Sequence, residues 1–189
     1  MNIANYYLVT PALWSRTTQK GLDLILEALP KLMELNVKLC ILGEGDPEIT
    51  EKLMQAQAKY TGKLSINVTY DENMSHLFEA GADIFLMPSK YEPCGLNQVY
   101  SLRYGTVPVV SPIGGLMDTV EDYDPKINDG TGFVMEELSS SSLLNAVKRA
   151  LEVYGTEEWQ EMQKRIMQED YSWEISAKRY LDIYDRMIS

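Results

Sequence analysis

The stretch DIFLMPSKYEPCGLNQVYSLRYGTVPVVS, residues 83–111, decides how this chain folds. It opens on DIFLMPS (83–89), a short apolar run rich in strand formers, and closes on PVVS (108–111), a second one. Between them LNQVYSLRYG (96–105) carries apolar residues at three- and four-residue spacing, the period of an amphipathic helix. Strands apolar on both faces and joined through a helix belong to a parallel sheet covered on both sides. The turn ahead of the helix sets one acid, Glu92, before Pro93, Cys94 and Gly95. An acid at that position is a candidate for chemistry.

The same alternation runs outward in both directions. Upstream, the strand candidates YYLVT (6–10), VKLCILG (37–43) and LSINVTY (64–70) alternate with three helical patterns, QKGLDLILEALPKLMEL (19–35), DPEITEKLMQAQAKY (46–60) and ENMSHLFEAG (72–81). Downstream come GGLMDTVEDY (114–123) as a helix and GFVM (132–135) as a strand, with YDPKINDGTG (123–132) between them as a surface connection. The last third reads as three consecutive helices, SSSSLLNAVKRALEVYG (139–155), TEEWQEMQKRIMQED (156–170) and SWEISAKRYLDIYDRM (172–187). The serines at 139–142 and Thr156 offer N-caps, and Trp159 and Trp173 stand at helical spacing for core packing. The expected fold is α/β: a Rossmann-like, doubly wound parallel sheet of about six strands with extra C-terminal helices. There is no internal repeat and no internal domain boundary.

Composition narrows the function. The 189 residues suffice for one domain, and 45% of them are hydrophobic, as in a globular core. A net charge of −11 repels nucleic acid and anionic membranes, so neither is expected as a partner. No apolar run is long enough to span a bilayer, and the first residues lack a signal-like pattern, so a cytoplasmic protein is expected. Cys40 and Cys94 do not suggest a disulfide framework; each is read as lying in or near a buried strand. With one histidine and two separated cysteines no metal-ligand spacing exists, and LGEGDP (42–47) lacks the Lys-Ser/Thr ending of a P-loop.

In an open parallel sheet, ligands bind beyond the carboxyl ends of the strands where the strand order reverses. For a six-stranded Rossmann-like order that point lies between the first and fourth strands. The loops there are PALWSRTTQKG (11–21), with Arg16 and Lys20, and SKYEPCG (89–95), with Glu92 and Gly95 ahead of a helix start near Asn97. Singly, the two cations read as solvated charges and Glu92 as a loop acid. Together at one crevice they suit a sugar nucleotide: cations and free amides for a diphosphate, an acid for a sugar. Lys20 and Glu92 are expected at its opposite ends.

SKYEPCGLNQVYSLRYGTVPVV (89–110) followed by GGLMDTV (114–120) closely resembles the signature of bacterial glycogen synthases and plant starch synthases. The resemblance extends to RTTQKGLDLILEALPKL, LGEGDPEITEKL, YDENMSHLFEAGADIFLMPSKYEPCG and YSWEISAKRY, and so covers about Leu8 to Tyr184. It implies a retaining glucosyltransferase that moves glucose from ADP-glucose to the non-reducing end of an α-1,4-glucan, without a cofactor. It also implies a GT-B fold of two Rossmann-like domains, of which residues 1–189 are the C-terminal, donor-binding one. The N-terminal acceptor domain would then be absent from this chain, and the isolated domain inactive. A related GT-B enzyme using UDP-glucose or another acceptor, and a non-catalytic nucleotide-sugar module, are the alternatives.

The roles that follow from the resemblance are specific. Lys20 matches the family's phosphate-binding lysine and Arg16 its partner, although Arg16 and Lys20 are four positions apart where the family has five. Glu92 matches the acid beside the donor sugar, and Tyr100 stands where related transferases carry a second glutamate. Cys94, Gly95, Leu96 and Asn97 would line the sugar and ribose–phosphate region through backbone amides, the Cys94 side chain being a small buried group. Asn97 replaces a threonine as cap and donor. Tyr70 matches an aromatic that stacks on adenine, and the amides of Gly114 and Gly115 would face the donor behind Ile113. His76 is expected to pack between helices, and the terminal helix to expose apolar surface toward the missing domain.

Overall fold

In chain order the elements are β1 (Tyr6–Pro11), α1 (Leu22–Leu32), β2 (Val37–Gly43), α2 (Pro47–Lys59), β3 (Leu64–Val68), α3 (Glu72–Gly81) and β4 (Ile84–Met87). They continue as α4 (Asn97–Tyr104), β5 (Val107–Val110), α5 (Gly114–Thr119), β6 (Phe133–Val134), α6 (Ser140–Val153), α7 (Glu157–Ile166) and α8 (Trp173–Ile188). The structure is a computed structural model and describes residues 6–11, 18–69 and 71–188. Arg16 and Tyr70 therefore lie outside the described residues.

The six strands form one parallel sheet in the order β3-β2-β1-β4-β5-β6. Consecutive strand residues feed opposite faces. Leu8, Ile84, Leu86, Val109 and Phe133 enter one core cluster, while Val9, Phe85, Met87, Val110 and Val134 enter another. Alternation with both sides apolar is what a sheet buried on both faces requires. The first cluster takes in α1, α6 and α7 side chains such as Ile25, Val147 and Trp159. The second takes in Phe78 of α3 and Leu116 of α5.

Helix starts follow their side chains. Asp46 accepts from the amides of Glu48 and Ile49, Asp71 from Met74, Ser139 from Ser142 and Thr156 from Trp159. Each fills orphan donors of a first turn. The run at 114–123 does not stay helical to its end. Past Thr119 the chain turns into a loop in which Thr131 Oγ1 accepts from the Glu121 amide and Asp122 bridges to Gly132. Arg149 fastens that loop with two 2.8 Å bonds to the Asp122 carboxylate.

The terminal helix corrects one expectation. Trp159 is 3% exposed and belongs to the core, but Trp173 is 83% exposed. By the time the chain reaches α8, both sheet faces are already covered, and none of its residues is buried. Tyr180, Leu181, Tyr184, Met187 and Ile188 are exposed with Trp173, as expected of a terminal helix with apolar surface.

Candidate functional site

The strand order reverses between β1 and β4, which pair as neighbours while their chain continuations diverge. The segment after β1 ends in one 3₁₀ turn, Thr18–Lys20, followed by Gly21 at the start of α1. Gly21 has φ 69°, and a Cβ there would lie 1.9 Å from the carbonyl oxygen of Pro88. Only glycine allows the start of α1 to sit directly on the exit of β4. The Lys90 N–H then donates to the Gln19 carbonyl at 2.7 Å. The two loops are thus joined through their backbones.

On that platform Lys20 Nζ donates to Glu92 Oε2 at 2.6 Å. The lysine side chain is 35% exposed and the glutamate 10%, so the acid is sunk in the crevice and the cation stands at its mouth. Ser89 Oγ donates to the same carboxylate oxygen at 3.3 Å. The two side chains were expected at opposite ends of a ligand; they touch instead. Opposite charges brought within reach in a partly buried crevice pair because leaving either one unpaired costs desolvation energy.

Behind Glu92 the backbone is packed without a gap. The Gly115 N–H donates to the Glu92 carbonyl at 3.0 Å, so that amide is committed to the loop rather than presented to a ligand. A Cβ on Gly114 would come within 2.2 Å of the Glu92 carbonyl oxygen, and one on Gly115 within 2.2 Å of that of Cys94. The Cys94 carbonyl also accepts from Gln98 Nε2 at 3.1 Å. With its carbonyl turned inward, Cys94 points its side chain outward and is exposed. The expectation of a small buried thiol is corrected on this ground.

Gly95, at φ 73°, makes the turn into α4. Leu96 occupies the cap position, exposed and with no capping side-chain bond, and Asn97 is the first helical residue rather than the cap. The first amides of α4 are therefore not taken by a capping side chain, which suits an anion. Gln98, fully buried, was not anticipated. Its Nε2 reaches the Cys94 and Gly95 carbonyls and Thr119 Oγ1, at 3.1–3.2 Å, and so ties the turn to α5. The sequence offers only a weak signal for it, a glutamine one position into a helix.

His76 packs as expected of an interhelical residue. Its ring lies 5.3 Å from Tyr100 and 6.2 Å from Tyr104, and Nδ1 is 3.1 Å from Glu79 Oε2. Glu79 itself is buried, and that burial pushes its carboxyl up from the usual range, with the hydrogen bond and charge of His76 acting the other way.

Of the residues singled out from sequence, Lys20 pairs with Glu92, and Gly114 and Gly115 pack against the Glu92 and Cys94 backbone, which continues through Gly95 and Leu96 to Asn97 at the start of α4. Arg16 and Tyr70 are outside the described residues. The sheet order and the ligand-side crevice define a Rossmann-like α/β domain, the architecture of one half of a GT-B glycosyltransferase.

The Glycosyl transferases group 1 family matches residues 13–172, and the chain belongs to it. It is 49% identical over 167 residues to a glycogen synthase of Anaeromyxobacter sp. (strain K), a match that covers 88% of this chain and 35% of that protein. It is 43% identical over 173 residues to the glycogen synthase of Thermotoga maritima, covering 90% and 36%. The chain thus spans about a third of the length of these curated relatives. Among solved structures, the catalytic domain of starch synthase IV from Arabidopsis thaliana, bound to ADP and acarbose, superimposes with a TM-score of 0.84 at 30% identity. That match covers 96% of this chain and 38% of the other. A glycosyltransferase from Rickettsia africae shares the fold, with a TM-score of 0.77 at 20% identity over 98% of this chain and 48% of that one. The resemblance to glycogen and starch synthases read from the sequence is borne out.

Proposed function

We propose that residues 1–189 are the C-terminal, donor-binding domain of a cytoplasmic glucosyltransferase that transfers glucose from ADP-glucose to the non-reducing end of an α-1,4-glucan. The observation that carries the reading is the meeting of Lys20 and Glu92 in the β1–β4 crevice, 72 positions apart in sequence and 2.6 Å apart in space. Breaking the bond from the anomeric carbon to the diphosphate builds negative charge on the leaving phosphate and positive charge on the sugar ring. Lys20, on exchanging Glu92 for the diphosphate, would stabilise the first, with the Gly95–Asn97 amides at the start of α4. Fixed donors of this kind contribute roughly 3–4 kcal/mol each. Glu92, released from Lys20, would face the sugar and stabilise the ring or hold a hydroxyl.

Cys94, Leu96 and Gly114 belong to the same proposed site, while Gly115, its amide taken by the Glu92 carbonyl, packs the loop from behind. By the resemblance, Tyr70 would meet the adenine and Arg16 would join Lys20 on the diphosphate. Retention fits front-face attack assisted by the leaving phosphate, and Tyr100 stands eight residues after Glu92, where related transferases carry a second glutamate. The remaining two thirds of the relatives would supply the N-terminal domain that completes the acceptor site, and the exposed apolar face of α8 suits contact with it. Among the described residues no helix is long and apolar enough to cross a membrane.

Calorimetry of this chain with ADP, ADP-glucose and UDP tests the reading. ADP and ADP-glucose should bind, with UDP at least about tenfold weaker. Lys20→Met should weaken ADP by roughly 10- to 100-fold, the worth of one charge-assisted hydrogen bond. A preference for UDP would remove the ADP-glucose assignment, and an unchanged ADP affinity in Lys20→Met would remove the phosphate role.

A further inference from the structure

A second ion pair crosses the same crevice, and neither the family resemblance nor the proposed chemistry uses it. Lys90 Nζ is paired with Asp23 Oδ2. Asp23 is the second residue of α1, three positions after Lys20, and Lys90 precedes Glu92 by two. Each segment therefore contributes one cation and one anion. Lys20 reaches from the first segment to Glu92 on the second, and Lys90 reaches back from the second to Asp23 on the first. The Lys90 N–H to Gln19 carbonyl bond joins the same two segments. The other oxygen of Asp23, Oδ1, is buried without a hydrogen-bond partner, and Lys90 is the cation on this half-exposed carboxylate among the described residues.

The pairs differ in what a ligand does to them. If Lys20 turns to a diphosphate, its link to Glu92 is given up and one of the ties between the two loops goes with it. The Lys90–Asp23 pair keeps both of its partners. We propose that Asp23 and Lys90 are positioning residues: they hold the Lys20 turn at a fixed distance from the Glu92 loop, so that Lys20 can exchange partners without the crevice spreading. This rests on the reading of Lys20 as the lysine that meets the diphosphate.

The rival role for Lys90, a further cation drawing in the anion, predicts the opposite sign for one variant. Asp23→Asn would free Lys90 and tighten ADP if Lys90 were an anion ligand. Under the positioning role it loosens the Lys20 turn and weakens ADP. The experiment is calorimetry of the chain with ADP for Asp23→Asn, Lys90→Met, both together and Lys90→Arg, each alone and combined with Lys20→Met, with thermal melts to establish that each variant is folded at the working temperature.

The positioning role predicts ADP weakened by roughly threefold to tenfold in either single variant, with the double variant no worse than the weaker single. Lys90→Arg, which preserves the pair, should stay within about twofold of the parent, and in the Lys20→Met background none of the changes should alter ADP affinity further. A lower melting point with unaltered ADP affinity would show a merely structural pair and overturn the proposal, as would tighter binding in Asp23→Asn. Should the parent chain not bind ADP, or Lys20→Met bind it as well as the parent, the diphosphate reading fails first and takes this one with it. Loss confined to the Asp23 and Lys90 predictions leaves that reading intact.

Discussion

At Glu92 four separate constraints meet on one residue. Its carboxylate accepts from Lys20 and Ser89, its carbonyl accepts from the Gly115 amide, and its backbone leaves no room for a side chain at Gly114. The acid and its lysine were legible in the sequence because each stands in a loop of fixed character, after an apolar strand and before a helix. Their direct contact was not, because it depends on how far two side chains reach across a crevice. Gln98 and Glu79 were illegible for a different reason: both are polar residues in helices, and only packing reveals that they are buried. Glu79 carries a prediction. Its carboxyl titrates higher in the folded chain than its ordinary range, chiefly through burial. Such a group favours the fold fully only below its unfolded pKa, and the contribution is lost as pH rises through the folded value. Glu79→Gln, which keeps a hydrogen-bonding group for His76 and removes the charge, should raise the melting temperature near neutral pH. The gain should disappear on acidification through the carboxylate range. Melts at both pH values check this, and an equal or lower melting point near neutrality would refute it.

The elements were legible in kind and order, less so in extent. The strand read at 83–89 shortens to Ile84–Met87, because its pairing with β5 runs only from Ile84 to Met87, and the strand read from Leu64 pairs with β2 as far as Val68, opposite Gly43. The run from Gly114 shows how a period can mislead. Leu116, Val120 and Tyr123 have helical spacing and all three are buried, yet only Leu116 is in α5. Tyr123 reaches the core from a loop, where its ring meets Phe133 and its hydroxyl donates to Asn128. The close fit of α5 against the Glu92 loop gives the element-scale prediction. Gly114 has φ 46°, and an added Cβ would fall 2.2 Å from a backbone oxygen. Gly114→Ala combines an unfavourable backbone conformation with that clash, and should cost at least about 2 kcal/mol in urea unfolding. A change within about 0.5 kcal/mol would mean that α5 does not press on the loop as described.

For the molecule as a whole, alternation of strand and helix patterns makes the parallel sheet legible, and the Rossmann-like order expected for such a sheet is the one found; the terminal helix was less legible. Trp159 and Trp173 have the same helical setting in sequence, but the first fills space between α7 and the body of the domain while the second finds both faces already taken. Trp159→Ala should cost roughly 3–5 kcal/mol of this chain's stability. Trp173→Ala should change it by no more than about 0.5 kcal/mol. Urea unfolding of the two variants checks the contrast, and a large loss at Trp173 would show α8 to be part of the core. The exposed apolar side chains of α8 are where the proposed second domain would pack.

In the proposed function a diphosphate enters between the β1 and β4 loops and takes Lys20 from Glu92. Two-dimensional ¹H–¹⁵N NMR of this chain titrated with ADP tests it most directly. Saturable shifts are expected at the amides of Gln19–Gly21, Glu92 and Gly95–Asn97, with the Lys20 ammonium signal moving in step. Shifts gathered instead around the Asp122–Arg149 loop or along α8, with the Lys20 and Gly95 signals unmoved at saturation, would contradict it.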